Sequence, residues 1–136
     1  MKGQRLINDH SFVCPELSGK KIESMVGHYE GNQPNGIDMV VLKIEGKDLY
    51  QRFFLDAGMG FWEEWSKEEA TEDYEECQGI DLSSKYFLSG KSIVTIDCKG
   101  SYEELSSITF EIENTKFIYQ YADKNDLESE TVLHQL

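Results

Sequence analysis

The chain has little proline, little cysteine and no long apolar segment. Only two of its 136 residues are proline and 39% are hydrophobic, which is typical of a folded domain and not of a disordered linker. The longest apolar runs span a few residues, as at positions 39–42, whereas a transmembrane helix needs about 20. Polar residues at positions 8–10 stand where a secretory signal would be apolar. We therefore expect a single domain over residues 1–136, without a membrane partner.

The cysteines are too few and too scattered to suggest a disulfide framework or a zinc site. Cys14, Cys77 and Cys98 lie far apart in the sequence, and no two of them have the Cys-x-x-Cys spacing. Structural zinc usually takes its ligands in such close pairs. We expect reduced thiols, a cytoplasmic location, and no bound metal or other cofactor.

Motifs of catalysis are also missing. The sequence has no Gly-x-Ser-x-Gly, Gly-x-Gly-x-x-Gly, Walker or His-Glu-x-x-His pattern. On a strand, His28 and Glu30 would share one face. An enzyme that uses His28 with nearby carboxylates is therefore kept as a functional hypothesis, ranked third after the two binding hypotheses described below. We predict that the chain has no catalytic residues and is not an enzyme.

Basic residues are scarce. The chain has 26 acidic and 13 basic residues, which gives a net charge of −13. Residues 1–55 are balanced with seven of each, so the whole imbalance lies in residues 56–136. Carboxylates repel the phosphates of nucleic acids and of anionic lipids, which argues against both as partners. The same field attracts a basic protein and raises its encounter rate, so a basic protein is the predicted partner.

Alternating apolar residues predict mostly β structure. Residues 37–45 and 49–55 form the clearest hairpin pattern, with Gly46 in the turn, and residues 106–113 and 116–122 form a second. Shorter strands are predicted at 11–14, 21–30, 86–88 and 93–98, with a loose start at 1–9, a flexible break at 56–60 and a last segment, 132–136, that packs back or frays. In the 21–30 strand, Ile22 and Val26 are predicted on one face, and Met25 and Tyr29 on the other.

One helix has complete start signals in the sequence. Ser66 is the candidate N-cap, and Glu69 completes a capping box three residues later. Residues 66–77 are the predicted helix, with Gly79 as its C-cap. The expected fold class is therefore α+β and mostly antiparallel β, a sandwich or open barrel of about six or seven strands with one main acidic helix.

The predicted helix belongs to the most acidic segment of the chain. Residues 63–76 contain eight acids and one base, and like charges four residues apart each cost about 0.2–0.5 kcal/mol. A helix selected only for stability would place lysines there, so we predict a docking face, although a merely solvated helix is the competing interpretation. The two tryptophans beside the acids are either interface anchors or core residues. The predicted partner-binding residues are Trp62, Glu63, Glu64, Trp65, Glu68, Glu69, Glu72, Asp73, Glu75 and Glu76.

A second functional hypothesis uses the aromatic strands. If the two hairpins curl around each other, Tyr50, Arg52, Phe54, Tyr119 and Tyr121 could line a cavity, and the protein would be a small β-barrel or sandwich that binds a ligand. Core filling is the competing interpretation of the same residues.

In overall character the chain resembles bacterial immunity proteins of toxin–immunity systems, including those of contact-dependent growth inhibition. The resemblance lies in a small, strongly acidic, single-domain chain with an aromatic-bearing acidic segment, here residues 61–76. It implies a non-catalytic protein that neutralises one cognate basic toxin, often a nuclease domain, by covering its active site or substrate groove. The acidic face would then take the place of nucleic-acid phosphates.

Overall fold

Antiparallel strands make up most of the regular structure in the computed structural model, which describes residues 4–29, 36–72 and 78–136. Its two helices are short: α1 spans Lys67–Glu72 and α2 spans Leu82–Lys85. A single 3-10 turn, Pro15–Leu17, follows the second strand. The strands among the described residues are β1 (Gln4–Asp9), β2 (Phe12–Val13), β3 (Ile22–Tyr29), β4 (Met39–Ile44), β5 (Tyr50–Asp56), β6 (Met59–Trp65), β7 (Gln78–Asp81), β8 (Ile93–Lys99), β9 (Ser107–Ile112), β10 (Thr115–Tyr121) and β11 (Thr131–Gln135).

These strands form two sheets. One has the order β1-β6-β5-β4-β3-β7, and the other has the order β11-β10-β9-β8-β2. Neighbouring strands run antiparallel in both sheets. The predicted fold class is therefore confirmed as a β-rich sandwich with minor helices, and the described residues contain more strands than the sequence indicates.

The inner faces of the two sheets enclose one apolar core, because alternate residues of each strand point the same way. Phe53 of β5 meets Phe110 of β9 edge to face, with ring centroids 5.3 Å apart. Tyr119 of β10 is completely buried, and its hydroxyl donates a hydrogen bond to the carbonyl of Ile37 at 2.8 Å. This bond satisfies the polar end of a side chain that otherwise fills apolar space.

Both predicted hairpins are confirmed. Strands β4 and β5 pair from Val40↔Phe53 onward, and Gly46 in their turn has a φ of +80°, which glycine adopts without strain. Strands β9 and β10 pair as the alternation of residues 106–122 indicates. The last segment packs back as β11 against β10.

Four sequence-based expectations are wrong. Within the predicted loose start at 1–9, the described residues Gln4–Asp9 form strand β1, whose pattern is obscured by an irregularity between Arg5 and Ile7. A bulge between Ile22 and Ser24 puts Ile22 and Met25 together on the inner face of β3, with Val26 outside. The strand predicted at 86–88 is instead the turn after α2. Gly79 does not cap a helix, because it lies in β7 opposite His28.

The predicted break at 56–60 is a tight hairpin turn. Ala57 and Gly58 have φ values of +51° and +78°, and two positive φ angles in succession characterise a primed two-residue turn. The turn joins β5 to β6 with Asp56 paired to Met59. Alanine at the first position hides the signal that asparagine or aspartate would give.

The two sheets are in close contact at Gly60 of β6. A Cβ atom at this position would overlap the Sγ of Cys98 and lie 2.9 Å from Cε2 of Phe12, both in the opposite sheet. The absence of a side chain therefore sets the spacing of the sandwich at this point.

Gly60→Ala is expected to lower the free energy of unfolding by about 1–3 kcal/mol, because the added methyl group overpacks the contact between the sheets. Urea unfolding followed by tryptophan fluorescence measures the loss. The double variant Gly60→Ala with Cys98→Ala should recover part of it, since the clashing sulfur is gone. Unfolding of Gly60→Ala at the wild-type midpoint would contradict this account.

Candidate partner-binding surfaces

The first four predicted partner-binding residues, at positions 62–65, lie in strand β6, in the interior of a sheet between β1 and β5. Both predicted anchor candidates, Trp62 and Trp65, therefore lie in a β-strand. Strand alternation turns Trp62 and Glu64 towards the core and turns Glu63 and Trp65 to the outer face.

Trp62 is a core residue, with 4% of its surface exposed. Its ring stacks near that of Phe53, with centroids 6.1 Å apart. The indole N–H donates to Oε1 of Gln51 at 2.8 Å, and Nε2 of the fully buried Gln51 donates to Glu64 at 3.1 Å. This short polar chain satisfies the buried amide, so Trp62 offers no free surface to a partner in this structure.

On the outer face, Glu63 is held by what we call the Arg52 cluster: Arg52, Phe54, Glu63 and Trp65. The Arg52 guanidinium carbon lies 4.5 Å from the centroid of the Phe54 ring and 4.3 Å from that of Trp65. Its Nη1 is 3.3 Å from Oε1 of Glu63, which also accepts the Trp65 indole N–H at 2.9 Å. Because Arg52 and Glu63 are direct cross-strand partners, the β5–β6 register creates this neutralised, nearly buried pair.

The capping box at the start of α1 is confirmed. The backbone N–H of Glu69 donates to Oγ of Ser66 at 3.1 Å, and the N–H of Ser66 donates to Oε1 of Glu69 at 3.2 Å. The Glu69 carboxylate is thus bound within the capping box, whereas the Glu68 side chain is exposed. Glu72 is the last residue of α1, and Asp73, Glu75 and Glu76, with the rest of the predicted helix, lie outside the described residues.

The aromatic residues of the second hypothesis do not meet. Tyr50 and Phe54 belong to the outer face of β5, whereas Tyr119 and Tyr121 point into the core from the other sheet. Burial raises the pKa of Tyr119 well above its usual value. These side chains therefore stabilise two separate places in the fold and do not line one cavity.

His28 lies on the outer face of β3, opposite Met39 on one side and Gly79 on the other. Burial, and then the positive charge of Arg52, lower its pKa below the usual 6.5. Among the described residues, no three His, Cys, Asp or Glu side chains are grouped so that they could hold a metal ion. Glu30, the predicted companion of His28, lies outside these residues.

Two of the three cysteines are buried free thiols. Cys14 and Cys98 line the core, and Cys77 falls outside the described residues. Burial raises the pKa of Cys98 to about 11 and that of Cys14 further still. Thiols held in this neutral form are poor nucleophiles and poor metal ligands.

A concave site lies at the other end of the sandwich, where the β1–β2, β8–β9 and β10–β11 connections converge. We call it the loop-end cleft; it has a volume of about 640 Å³, and its walls include Ser11, Lys99, Glu103, Glu104, Gln120 and Lys124. Sequence reasoning missed it because its walls come from three separate connections. The run Gly100-Ser101-Tyr102-Glu103-Glu104, a turn with an aromatic residue beside two acids, is the local signal that could have indicated it.

Comparison with protein-family models, with curated proteins and with solved structures finds no match for this chain. In the part of the chain that the structure describes, neither helix has the length and apolar character needed to cross a bilayer.

Arg52→Met is expected to lower the free energy of unfolding by about 3 kcal/mol, because it leaves the Glu63 carboxylate nearly buried without its cation. Chemical denaturation measures this loss. Glu23→Gln is the matched control, since it breaks the ion pair of Lys43 with a carboxylate that is 58% exposed and should cost at most about 1 kcal/mol. Equal losses in the two variants would show that the Arg52 cluster is no more than a surface pair.

Because the pKa of His28 is lowered in the fold, we expect its protonation to decrease the free energy of unfolding as the pH falls. The folded state favours the neutral imidazole. The contribution of His28 to the free energy of unfolding is therefore present above the pKa of the unfolded state, about 6.5, and is lost as the pH falls through the lower pKa of the folded state. His28→Gln should therefore flatten the decline of unfolding free energy between about pH 7.5 and pH 5. His134→Gln, at an exposed position of β11, serves as the control. An unchanged slope in His28→Gln would refute the assignment.

Proposed function

We propose that this protein is a non-catalytic acidic inhibitor that binds a basic protein, such as the nuclease domain of a cognate toxin, and covers its active site or substrate groove. The partner would be recognised by its lysine and arginine side chains, which otherwise bind phosphates. The carboxylates of this chain would occupy the same places and exclude the natural substrate.

The observation that carries the proposal is that, among the described residues, the fold leaves most exposed acids without an ion pair. Among the described residues, Lys43 pairs with Glu23 at 3.6 Å and Arg52 pairs with Glu63 at 3.3 Å. The exposed acids that form no ion pair within the described ranges include Glu68, Glu103, Glu104, Asp123, Asp126, Glu128 and Glu130.

An unneutralised field of this size has a cost in the free protein. Self-repulsion among carboxylates works against the compact state, and a partner of opposite charge removes it on binding. The same field accelerates diffusional encounter, which suits an inhibitor that must reach its target before the target acts. A solvated surface selected only for solubility would mix the two signs of charge more evenly.

The two other hypotheses have less support. The ligand-binding alternative depends on Tyr50, Phe54 and Tyr119 sharing a cavity. Tyr50 and Phe54 lie on the outer face of β5, however, whereas Tyr119 is buried in the core. An enzyme based on His28 would need carboxylates converging on it, and among the described residues no cluster of three or more titratable ligands has formed. Neither hypothesis accounts for the excess of exposed acids.

The proposal predicts that binding to a basic nuclease domain encoded beside this chain's own gene is strongly salt-dependent. Stopped-flow association of the two purified proteins should slow by at least about tenfold between low and physiological ionic strength. A second measurement, nuclease activity, should fall with one-to-one stoichiometry as this protein is added. Failure of the two proteins to associate at low salt would refute the proposal for that partner.

The acids of α1 outside the capping box can be tested in the same assay. Glu68→Lys combined with Glu72→Lys reverses charge without touching the capping box, so thermal stability should hold while association slows several-fold. Glu45→Lys with Asp48→Lys makes the same charge change in the β4–β5 turn and is the control. Because the β4–β5 turn lies at the same end of the sheet as α1, equal slowing by both pairs would mean that the charge of this end, and not α1 itself, governs encounter.

A further inference from the structure

We propose that the loop-end cleft is the seat for a lysine- or arginine-bearing loop of the partner protein. Tyr102, which lies in the β8–β9 connection between the lining residues Ser101 and Glu103 but outside the cleft itself, is the contact that anchors the loop. This assignment rests on the proposed function and adds to it the surface, the chemistry of the occupant and an anchor residue. It places the bound contact at the end of the sandwich opposite α1, roughly 20 Å away along β6, so the acids of α1 act on the rate of encounter and the cleft acts on affinity.

The first argument is the shape of the site. A concavity of about 640 Å³ can enclose one or two side chains of a partner loop, and clefts of this size are the usual places where proteins take up ligands. Beside the two lysines Lys99 and Lys124, its walls carry the amide oxygen of Gln120 and the carboxylates of Glu103 and Glu104. These groups accept hydrogen bonds from ammonium and guanidinium donors.

The second argument is the charge around the cleft. Strand direction brings the β5–β6 turn and the end of β1 to the same end of the molecule as the β8–β9 and β10–β11 connections. This end carries two lysines, Lys99 and Lys124, against eight exposed acids: Asp9, Asp56, Glu103, Glu104, Asp123, Asp126, Glu128 and Glu130. The walls of the cleft carry as many lysines as glutamates, so the six other acids, which surround the cleft, give this end a field that attracts cations and repels phosphates.

The third argument is Tyr102, whose side chain is 96% exposed. The centroid of its ring lies 4.7 Å from that of the His10 ring. A tyrosine this exposed adds little to the stability of the fold. Tyrosine is common among residues that dominate interface energies, because it buries a large rigid surface and keeps a polar tip. Its ring can also hold a lysine or arginine by a cation–π contact.

The walls of the cleft are fixed before binding. Ser11 Oγ donates to the carbonyl of Gly100 at 2.7 Å, and Ser106 Oγ donates to that of His10 at 2.7 Å. The N–H of Ser106 donates to the carbonyl of Gly58 at 3.0 Å, which ties the β8–β9 connection to the β5–β6 turn. A preformed site loses little conformational entropy when it is occupied, so more of the contact energy appears as affinity.

The occupant is a protein loop and not a metal ion or a nucleic acid. Among the described residues, no group of three metal-ligating side chains forms. The excess of carboxylates at this end opposes phosphate. A partner loop satisfies both observations, since its basic residues meet the acids while its backbone and apolar atoms cover Tyr102.

The test uses a short peptide of repeating Lys-Arg-Gly units as the probe, with titration calorimetry for affinity and backbone amide NMR shifts for location. Shifts should concentrate at residues 99–107 and 120–130. Glu103→Lys with Glu104→Lys should weaken binding by about tenfold, and Tyr102→Ala by about two- to fivefold, both at unchanged melting temperature. Glu45→Lys with Asp48→Lys, the charge-matched control at the opposite end, should weaken binding by less than about twofold.

The other outcomes distinguish the two proposals. If the wild-type protein does not bind the peptide at low salt, the proposed function itself fails. If it binds but the shifts map to α1, or the control pair weakens binding as much as the cleft pair, the function stands and the cleft assignment is overturned. Spermine that binds as tightly as the peptide, with no effect of Tyr102→Ala, would also overturn it in favour of a polyamine site.

Discussion

The pairing of Arg52 with Glu63 across β5 and β6 is the interaction on which the surface of this protein depends. By register alone it places a cation between two aromatic rings and gives a nearly buried carboxylate its partner. The predicted docking segment thereby becomes part of the outer wall of a sheet. The charge of a surface carboxylate is normally screened by solvent or counterions. The charge of Glu63 is instead neutralised by an arginine of the neighbouring strand.

The acids therefore fall into two groups with different roles. Glu63, Glu64 and Glu69 are engaged by Arg52, Gln51 and the N-terminus of α1 respectively. A second group surrounds the loop-end cleft and forms no ion pair within the described residues. Net charge in the sequence counts both groups alike, although only carboxylates of the second kind can meet an incoming cation without first losing an internal partner.

What could be predicted from the sequence was local. Both long hairpins and the Ser66–Glu69 capping box depend on residues close in the chain, so alternation and spacing were sufficient. The Ala57-Gly58 turn was missed because alanine rarely adopts positive φ. Strand β1, the face assignment in β3 and the cleft were missed because they depend on partners far along the chain or on a bulge, which no short window shows.

The pairing of β1 with β6 also constrains how the chain can assemble. Gln4 is opposite Glu64, so about 60 residues must be synthesised after β1 before its neighbour in the sheet exists. Closure of that long loop is slow and entropically costly, and until it happens β6 presents an unsatisfied row of amide and carbonyl groups. The nascent sheet can therefore pair wrongly with other chains until β1 has paired with β6.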